Sequence, residues 1–167
     1  MLFEGKRFCV ERVVQTTPDG TEHVREIVRH PGAAVLLPIL DDGRICLIEN
    51  YRASVGRSLI ELPAGTLEPG EDPAVTAHRE LAEETGYRAQ RMELLVAYYA
   101  SPGILDERMH LYLATGLTPG ATALEPGEDI RPLPTTRLDA LEMARDGRIQ
   151  DAKTLVGLLY YETFVER

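Results

Sequence analysis

The chain has 167 residues, of which 44% are hydrophobic and 27% charged, as expected for one globular domain spanning residues 1–167 with a sizeable core. The net charge of −9 argues against a nucleic-acid backbone as the main partner. No apolar run is long enough to span a membrane, and the N-terminus has no apolar signal core, so we expect a cytoplasmic protein with no membrane partner.

The first part of the chain is predicted to form β-strands joined by tight turns. Two Asp-Gly turns, at residues 18–20 and 41–43, each separate a pair of segments rich in apolar and β-branched residues. This arrangement predicts an N-terminal β-hairpin and a second hairpin directly after it. A further short strand leads into a Pro-Ala-Gly loop. The predicted strands are residues 8–15, 22–30, 33–40, 44–51 and 58–62.

The next segment has the signals that begin and end a helix. Asp72 is a good N-cap, and Pro73 then falls at the first helical position, where its missing N–H costs nothing. Gly86 can adopt the left-handed conformation that ends a helix. The sequence therefore predicts a helix over residues 73–85.

Three glutamates of this helix carry its chemistry. Glu80, Glu83 and Glu84 stand at i, i+3 and i+4, so they share one face and repel one another. Arg79 can pair with Glu83 but does not neutralise three carboxylates. A hard divalent cation would do so, and carboxylate oxygens suit Mg²⁺ or Mn²⁺. The backbone carbonyls of the loop at residues 62–65 can complete the metal shell.

The remainder of the chain mixes strands and helices. We predict a polar loop over residues 116–129, and Asp151 is expected to cap the last helix. Strands and helices on either side of a mixed sheet indicate an α/β or α+β sandwich. The predicted strands are residues 92–100, 110–115 and 131–134, and the predicted helices are residues 138–145 and 151–164.

The spaced pattern around the helix resembles the Nudix box, the signature of the Nudix hydrolase superfamily. Residues 50–52 and 61–65 before the box, and 101–107 after it, are similar to the ADP-ribose pyrophosphatase branch. Pro102 lies fifteen residues after Tyr87, a spacing that marks this branch. The box residues are Gly65, Glu71, Arg79, Glu80, Leu81, Glu83, Glu84, Gly86 and Tyr87.

The resemblance implies a fold and a reaction. The fold is an α/β/α sandwich around a mixed β-sheet, with the box as loop, helix and loop. Members of the branch are usually homodimers that exchange N-terminal strands, here residues 1–30. The reaction is metal-dependent hydrolysis of the diphosphate bond of ADP-ribose or a related ADP-sugar, giving AMP and a sugar phosphate.

The resemblance also implies site residues. The Ala64 carbonyl, Glu80 and Glu84 would ligate Mg²⁺, with Mn²⁺ as a substitute, and Glu83 would contact a further ion or the attacking water. Arg79 would orient Glu83 or Glu71. For the catalytic base we expect Glu83 first, then Glu128 and Glu107.

Substrate-binding residues are implied outside the box. Arg52 resembles the clamp on the diphosphate, where a guanidinium can bind two oxygens at once. Ser101, Gly103 and Glu107 resemble part of the pocket for the terminal ribose. Glu26 resembles the residue that reaches the adenine of the substrate bound by the partner subunit.

Departures from the branch leave alternatives open. Many relatives have an arginine two residues before Glu26, where this chain has Val24, so the nucleobase is open. The late loop, residues 128–133, also differs from its usual pattern. One alternative is the same chemistry on another nucleoside diphosphate derivative, such as GDP-mannose, or on an oxidised nucleotide. Another is a non-catalytic ADP-ribose sensor, although the box keeps all its carboxylates.

Overall fold

The computed structural model describes residues 1–166, which form ten strands in three sheets and three α-helices. A π-helical turn, Tyr161–Val165, follows the last helix. The strands are β1 (Phe3–Glu4), β2 (Cys9–Thr16), β3 (Glu22–Arg29), β4 (Ala33–Pro38), β5 (Ile45–Arg52), β6 (Arg57–Glu61), β7 (Ala64–Thr66), β8 (Tyr87–Tyr99), β9 (Arg108–Pro119) and β10 (Ile130–Thr135), and the helices are α1 (Pro73–Thr85), α2 (Arg137–Arg145) and α3 (Ala152–Tyr160).

The central sheet has the order β7-β4-β9-β8, with β4 and β9 parallel and the other pairs antiparallel. Successive side chains of a strand point to opposite faces, and every residue of β4 is buried. Leu36 belongs to a cluster with Leu81 of α1, whereas Leu37 belongs to a second cluster with Leu158 of α3. The expected α/β/α sandwich around a mixed sheet is confirmed.

The second sheet, β10-β5-β6, pairs the end of β5 with the start of β6. Ile45 lies in the core at the start of β5, and Arg52 ends the strand beside β6. Helix α3 packs closely on this region, because a Cβ at Gly157 would stand 2.4 Å from the side chain of Leu62. The packing of α3 therefore fixes Leu62, the first residue of the box loop at residues 62–65.

The N-terminal hairpin forms as expected, with β2 and β3 paired from Cys9↔Arg29 to Thr16↔Glu22. Strand β1 adds a third strand to this sheet. The sheet joins the rest of the chain near Val28, whose carbonyl accepts a hydrogen bond from the Asp106 N–H at 3.1 Å. The Arg29 guanidinium also pairs with the Asp106 carboxylate at 3.0 Å.

Several predicted boundaries were wrong. Strand β8 begins at Tyr87, not at 92, and β9 continues to Pro119, so the loop is shorter than predicted. An irregularity between Leu94 and Val96 shifts the pairing register and interrupts the alternation of apolar residues in β8. Part of the box loop pairs with β4 as strand β7. Within residues 1–166, no helix has both the length and the apolarity needed to cross a membrane.

Candidate active site

Helix α1 has the predicted bounds and caps. The Asp72 side chain accepts a hydrogen bond from the Ala74 N–H at 2.8 Å, and Pro73 is the first helical residue. Gly86 ends the helix with a φ of 76°, a conformation that side chains disfavour. These local signals fix the rotation of the helix, and with it the face that carries the three glutamates.

The Glu84 side chain lies against the box loop. Its Oε2 accepts a hydrogen bond from the Ala64 N–H at 2.9 Å, and only 4% of the residue is exposed. Burial, and then repulsion from Glu80, raises the pKa of Glu84 to about 8. The structure thus brings Ala64 and Glu84 together, through the amide of Ala64.

The Glu80 carboxylate occupies the space above Gly65. A Cβ built on Gly65 would stand 1.9 Å from this carboxylate, so no other residue fits there without displacing Glu80. Burial also raises the pKa of Glu80, against the opposing effect of Arg79. The glycine is therefore required by the close approach of a carboxylate to the backbone.

Arg79 holds the acidic face of the helix together. Its guanidinium pairs with Glu80 at 2.5 Å, with Glu83 at 3.2 Å and with Glu71 at 3.4 Å. Burial opposes the charge on Arg79, but the carboxylates, Glu80 foremost, raise its pKa above the ordinary value. Arg79 orients the two predicted carboxylates and also Glu80.

The carboxylates fit a divalent cation by their chemistry. Within residues 1–166, no three acidic, histidine or cysteine side chains already converge as a finished metal site. However, Glu80 and Glu84 are both largely buried. Repulsion from Glu80 adds to the raised pKa of Glu84, and repulsion from Glu83 adds to the raised pKa of Glu80. A hard cation with oxygen ligands would remove this repulsion. Glu83 is less buried, with 31% of its side chain exposed.

The loop before β10 brings Glu128 to the same place. Its backbone contacts the box helix where the Ala123 N–H donates to the Glu83 carbonyl at 3.0 Å. Burial is the main cause of the raised pKa of Glu80 and of Glu84, and repulsion from the Glu128 carboxylate adds to it. Glu128 therefore lies within electrostatic reach of the box, although it is 44 positions further along the chain than Glu84.

Arg52 reaches the site from the end of β5. Its Nε and Nη2 donate to the two carboxylate oxygens of Glu61 at 2.8 and 2.6 Å. In the part of the chain that the structure describes, Nη1 makes no hydrogen bond, and 39% of the side chain is exposed. Glu61 thus fixes the guanidinium plane and leaves one edge of it available to an anion.

Lys153 is a residue of this network that sequence reasoning missed. Glu61 is 1% exposed, and its Oε2 also accepts from the Lys153 ammonium, which pairs in addition with Asp151 at 3.0 Å. Burial opposes the charge on Glu61, but Arg52 and Lys153 hold its pKa below the ordinary value. The available signal was a lysine two residues after the N-cap of an otherwise apolar helix.

The segment after β8 lies against the N-terminal sheet. Ser101 begins a turn, since its carbonyl accepts from the Leu105 N–H at 2.9 Å, and the space around Gly103 is open. Glu107 is half-buried and stands 3.3 Å from Nδ1 of His30. The predicted ribose residues therefore share one segment.

Glu26 is not among the residues that the chain brings to its own box. Its carboxylate pairs with Arg12 at 3.2 Å, on the exposed surface of the N-terminal sheet. Val24, at the position where relatives have an arginine, is 57% exposed. The structure therefore places both Glu26 and Val24 on the exposed surface of the N-terminal sheet.

Known proteins are similar to this chain over nearly its whole length. A family model described as the NUDIX domain matches residues 28–156. The chain is 44% identical over 163 residues to a methanol dehydrogenase activator of Bacillus methanolicus, covering 96% of this chain and 88% of that protein. It is 40% identical over 163 residues to an ADP-ribose pyrophosphatase of Bacillus subtilis strain 168, with the same shares covered.

Two matches at lower identity also cover most of the chain. The chain is 36% identical over 160 residues to a GDP-mannose pyrophosphatase of Cronobacter sakazakii, covering 88% of this chain and 83% of that protein. A crystal structure of an ADP compounds hydrolase superposes with a TM-score of 0.84 at 22% identity, covering 98% of this chain and 89% of that one. At that identity the superposition supports the fold alone.

Proposed function

The chain belongs to the Nudix family of hydrolases, and from that premise we propose that it hydrolyses the diphosphate bond of ADP-ribose or a related ADP-sugar, giving AMP and a sugar phosphate. The observation that carries the chemistry is the pair formed by the buried Glu84 and the partly buried Glu80, which share one helix face beside Arg52. The substrate is supported by the 40% identity to an ADP-ribose pyrophosphatase over nearly the whole chain.

The proposed metal is Mg²⁺, with Mn²⁺ as a substitute. Glu80, Glu84 and the Ala64 carbonyl would hold it, with Glu83 beside them. When bound, the cation neutralises charge on the diphosphate oxygens and lowers the pKa of the attacking water. Arg79 holds the carboxylates in a fixed arrangement, since it pairs with both Glu80 and Glu83.

The other residues bind the substrate and accept the proton. Arg52 would clamp the diphosphate with the edge that Glu61 leaves free. For the base we propose Glu83, with Glu128 and Glu107 as the alternatives, in an in-line displacement that depends mainly on positioning and electrostatics. Charge-neutral Gln variants at these three positions, compared by the pH dependence of kcat/KM, identify the base as the variant that loses the acidic limb.

The test of the proposed function is direct. Purified protein is incubated with ADP-ribose and Mg²⁺, and the products are separated by ion-exchange chromatography. We expect AMP and ribose 5-phosphate, no turnover in excess EDTA, and a loss of several orders of magnitude in kcat for Glu84→Gln. Glu49→Gln, which changes an exposed glutamate of β5, serves as the matched control. Full activity in Glu84→Gln would contradict the metal assignment.

The nucleotide preference needs its own comparison. The relative that hydrolyses GDP-mannose and the exposed Val24 both keep a guanine nucleotide open. A panel of ADP-ribose, GDP-mannose and an oxidised nucleotide, ranked by kcat/KM, decides between them. If another nucleotide had the highest kcat/KM, it would replace ADP-ribose as the proposed substrate. Thermal stabilisation by ADP-ribose without hydrolysis in Mg²⁺ would instead indicate a sensor.

A second candidate function is activation of a dehydrogenase. It is favoured by the 44% identity to a methanol dehydrogenase activator, a match of the same length, 163 residues, as the match to the pyrophosphatase. Addition of the protein to a purified methanol dehydrogenase tests it. An increase in dehydrogenase rate that Glu84→Gln abolishes would link the two functions, whereas no increase would leave hydrolysis of the free nucleotide alone.

We also propose a cytoplasmic homodimer that exchanges residues 1–30. The N-terminal sheet is largely exposed and carries apolar side chains on its surface, among them Phe3, Val14 and Val24, each more than half exposed. Exposed apolar surface of this kind marks an interface. Both cysteines, Cys9 and Cys46, are free thiols, as is usual in the cytoplasm. Light scattering gives the mass, and a monomer would contradict the exchange.

A further inference from the structure

A cavity of about 340 Å³ lies between the ends of β5 and β8 and the beginning of α3. Its lining includes the polar side chains of Arg52, Tyr98, Asp151 and Lys153 and apolar residues such as Leu59. Pockets of this size, with few polar groups in an apolar lining, are typical of small-molecule sites. Arg52, Asp151 and Lys153 belong to the network around Glu61, whereas Tyr98 does not.

The Tyr98 hydroxyl is buried and has no hydrogen-bond partner among residues 1–166. Buried hydroxyls in native proteins are nearly always paired, so an exception calls for an explanation. Tyr160 shows the usual arrangement, because its hydroxyl donates to the Leu95 carbonyl at 3.3 Å. A ligand in the cavity would supply the partner that the protein does not provide for Tyr98.

The surroundings of Tyr98 indicate which ligand chemistry fits. Burial, and then the carboxylates of Asp151 and Glu107, raise the pKa of Tyr98, so the phenol stays neutral and remains a donor. Asp151 uses only its Oδ2 within the described chain, for Thr154 and Lys153. Its Oδ1 is therefore left as an acceptor on a residue that lines the same cavity as Tyr98.

A donor and an acceptor that line one cavity suit sugar hydroxyls, because each hydroxyl both donates and accepts. A phosphate would be repelled by the two carboxylates, but it suits the free edge of Arg52 in the same cavity. The cavity thus matches a polyol that carries a phosphate. We propose that Tyr98 is a substrate-binding residue whose hydroxyl donates to a ring hydroxyl of the sugar-phosphate half of the substrate. This inference rests on the proposed function.

The test compares Tyr98→Phe with Tyr160→Phe, which removes a hydroxyl that has a protein partner. Ribose 5-phosphate and AMP are titrated separately into wild type and both variants by calorimetry. We expect Tyr98→Phe to weaken ribose 5-phosphate binding by about threefold to tenfold, the value of one hydrogen bond. AMP binding stays within twofold of wild type, and Tyr160→Phe changes neither affinity.

Thermal unfolding gives a second, independent readout. Removing an unpaired buried hydroxyl leaves the midpoint of Tyr98→Phe equal to that of wild type or higher, whereas Tyr160→Phe lowers it. The inference is overturned if wild type does not bind ribose 5-phosphate, if Tyr98→Phe leaves its affinity unchanged or weakens AMP equally, or if Tyr98→Phe unfolds as early as Tyr160→Phe.

The outcomes separate this inference from the proposed function. If wild type releases no AMP from ADP-ribose but binds ribose 5-phosphate in a Tyr98-dependent way, the proposed hydrolysis fails and the binding site stands. If wild type hydrolyses ADP-ribose and Tyr98→Phe binds ribose 5-phosphate normally, only the role of Tyr98 fails.

Discussion

Lys153→Met tests whether the buried charge network positions Arg52. In the structure Glu61 receives both Arg52 nitrogens on its carboxylate, and Lys153 shares one of the two oxygens. Methionine keeps the apolar length of the side chain but removes the ammonium. Glu61 then has one cationic partner instead of two, so the carboxylate that holds Arg52 by two hydrogen bonds is itself less firmly held.

The expected magnitude follows from burial. Removing one partner of a buried ion pair costs about 3–5 kcal/mol when the other charge is left alone. Glu61 keeps Arg52, so we expect roughly half of that cost, about 2 kcal/mol. For a domain of this size the unfolding midpoint then falls by about 4–8 °C. A looser Arg52 should raise KM for ADP-ribose about tenfold, while kcat changes less than about threefold.

The assay is a double-mutant cycle on KM. Arg52→Gln, Lys153→Met and the double variant are compared with wild type at a fixed Mg²⁺ concentration. If Lys153 acts through Arg52, the Lys153 substitution raises KM no further once Arg52 is absent. Lys153→Arg keeps the positive charge and should recover most of the affinity.

Ile45→Ala is the matched control for lost stability. Ile45 is buried at the far end of β5 from Arg52, and its truncation costs about 2–5 kcal/mol through the cavity that it leaves. Its KM should remain that of wild type. The reasoning is refuted if Lys153→Met leaves KM unchanged, or if its effect adds fully to that of Arg52→Gln, since Lys153 would then act on the substrate directly.

Three further changes test the box and its neighbours. Gly65→Ala should reduce kcat at least about a hundredfold, because the added methyl displaces the Glu80 carboxylate; unchanged kinetics would mean that Glu80 is not needed there. Arg52→Lys should raise KM about tenfold, since an ammonium cannot form the fork with Glu61; substrate titrations that match wild type would argue against a planar clamp. Glu128→Gln should lower the pKa of Glu84 in the metal-free protein, measured by carbon-detected NMR, because it removes a neighbouring charge; an unmoved titration would place Glu128 away from the box.

The helix face that carries the proposed metal ligands could be predicted because its determinants are local. The N-cap Asp72, Pro73 and Gly86 set the bounds of α1, and a helix of known bounds determines which side chains share a face. The close approach of Glu80 to Gly65 also connects neighbouring parts of the chain. Periodicity and capping rules contain this information, so no knowledge of tertiary structure was needed.

The strand boundaries were harder, and β8 shows why. Its pairing with β9 shifts register between Leu94 and Val96, so side chains that alternate in space do not alternate in sequence. The start of the strand at Tyr87 is stabilised by pairing with Pro119, more than thirty residues away. Pairing at that distance leaves no local signal in either segment.

The substrate half depends on contacts between segments that are remote in sequence. Glu61 is the meeting point: it ends β6, holds Arg52 from β5 and binds Lys153 from the first turn of α3. Arg52 taken alone reads as an ordinary surface cation, and Lys153 as a solvated helix residue. Only the burial of Glu61 makes them one unit, because a carboxylate that is 1% exposed needs both cations to remain ionised. Substitutions in α3 should therefore alter substrate affinity while leaving the proposed metal-binding carboxylates of α1 in place, and a variant such as Lys153→Met that lost Mg²⁺ binding would show that the two halves are not separable.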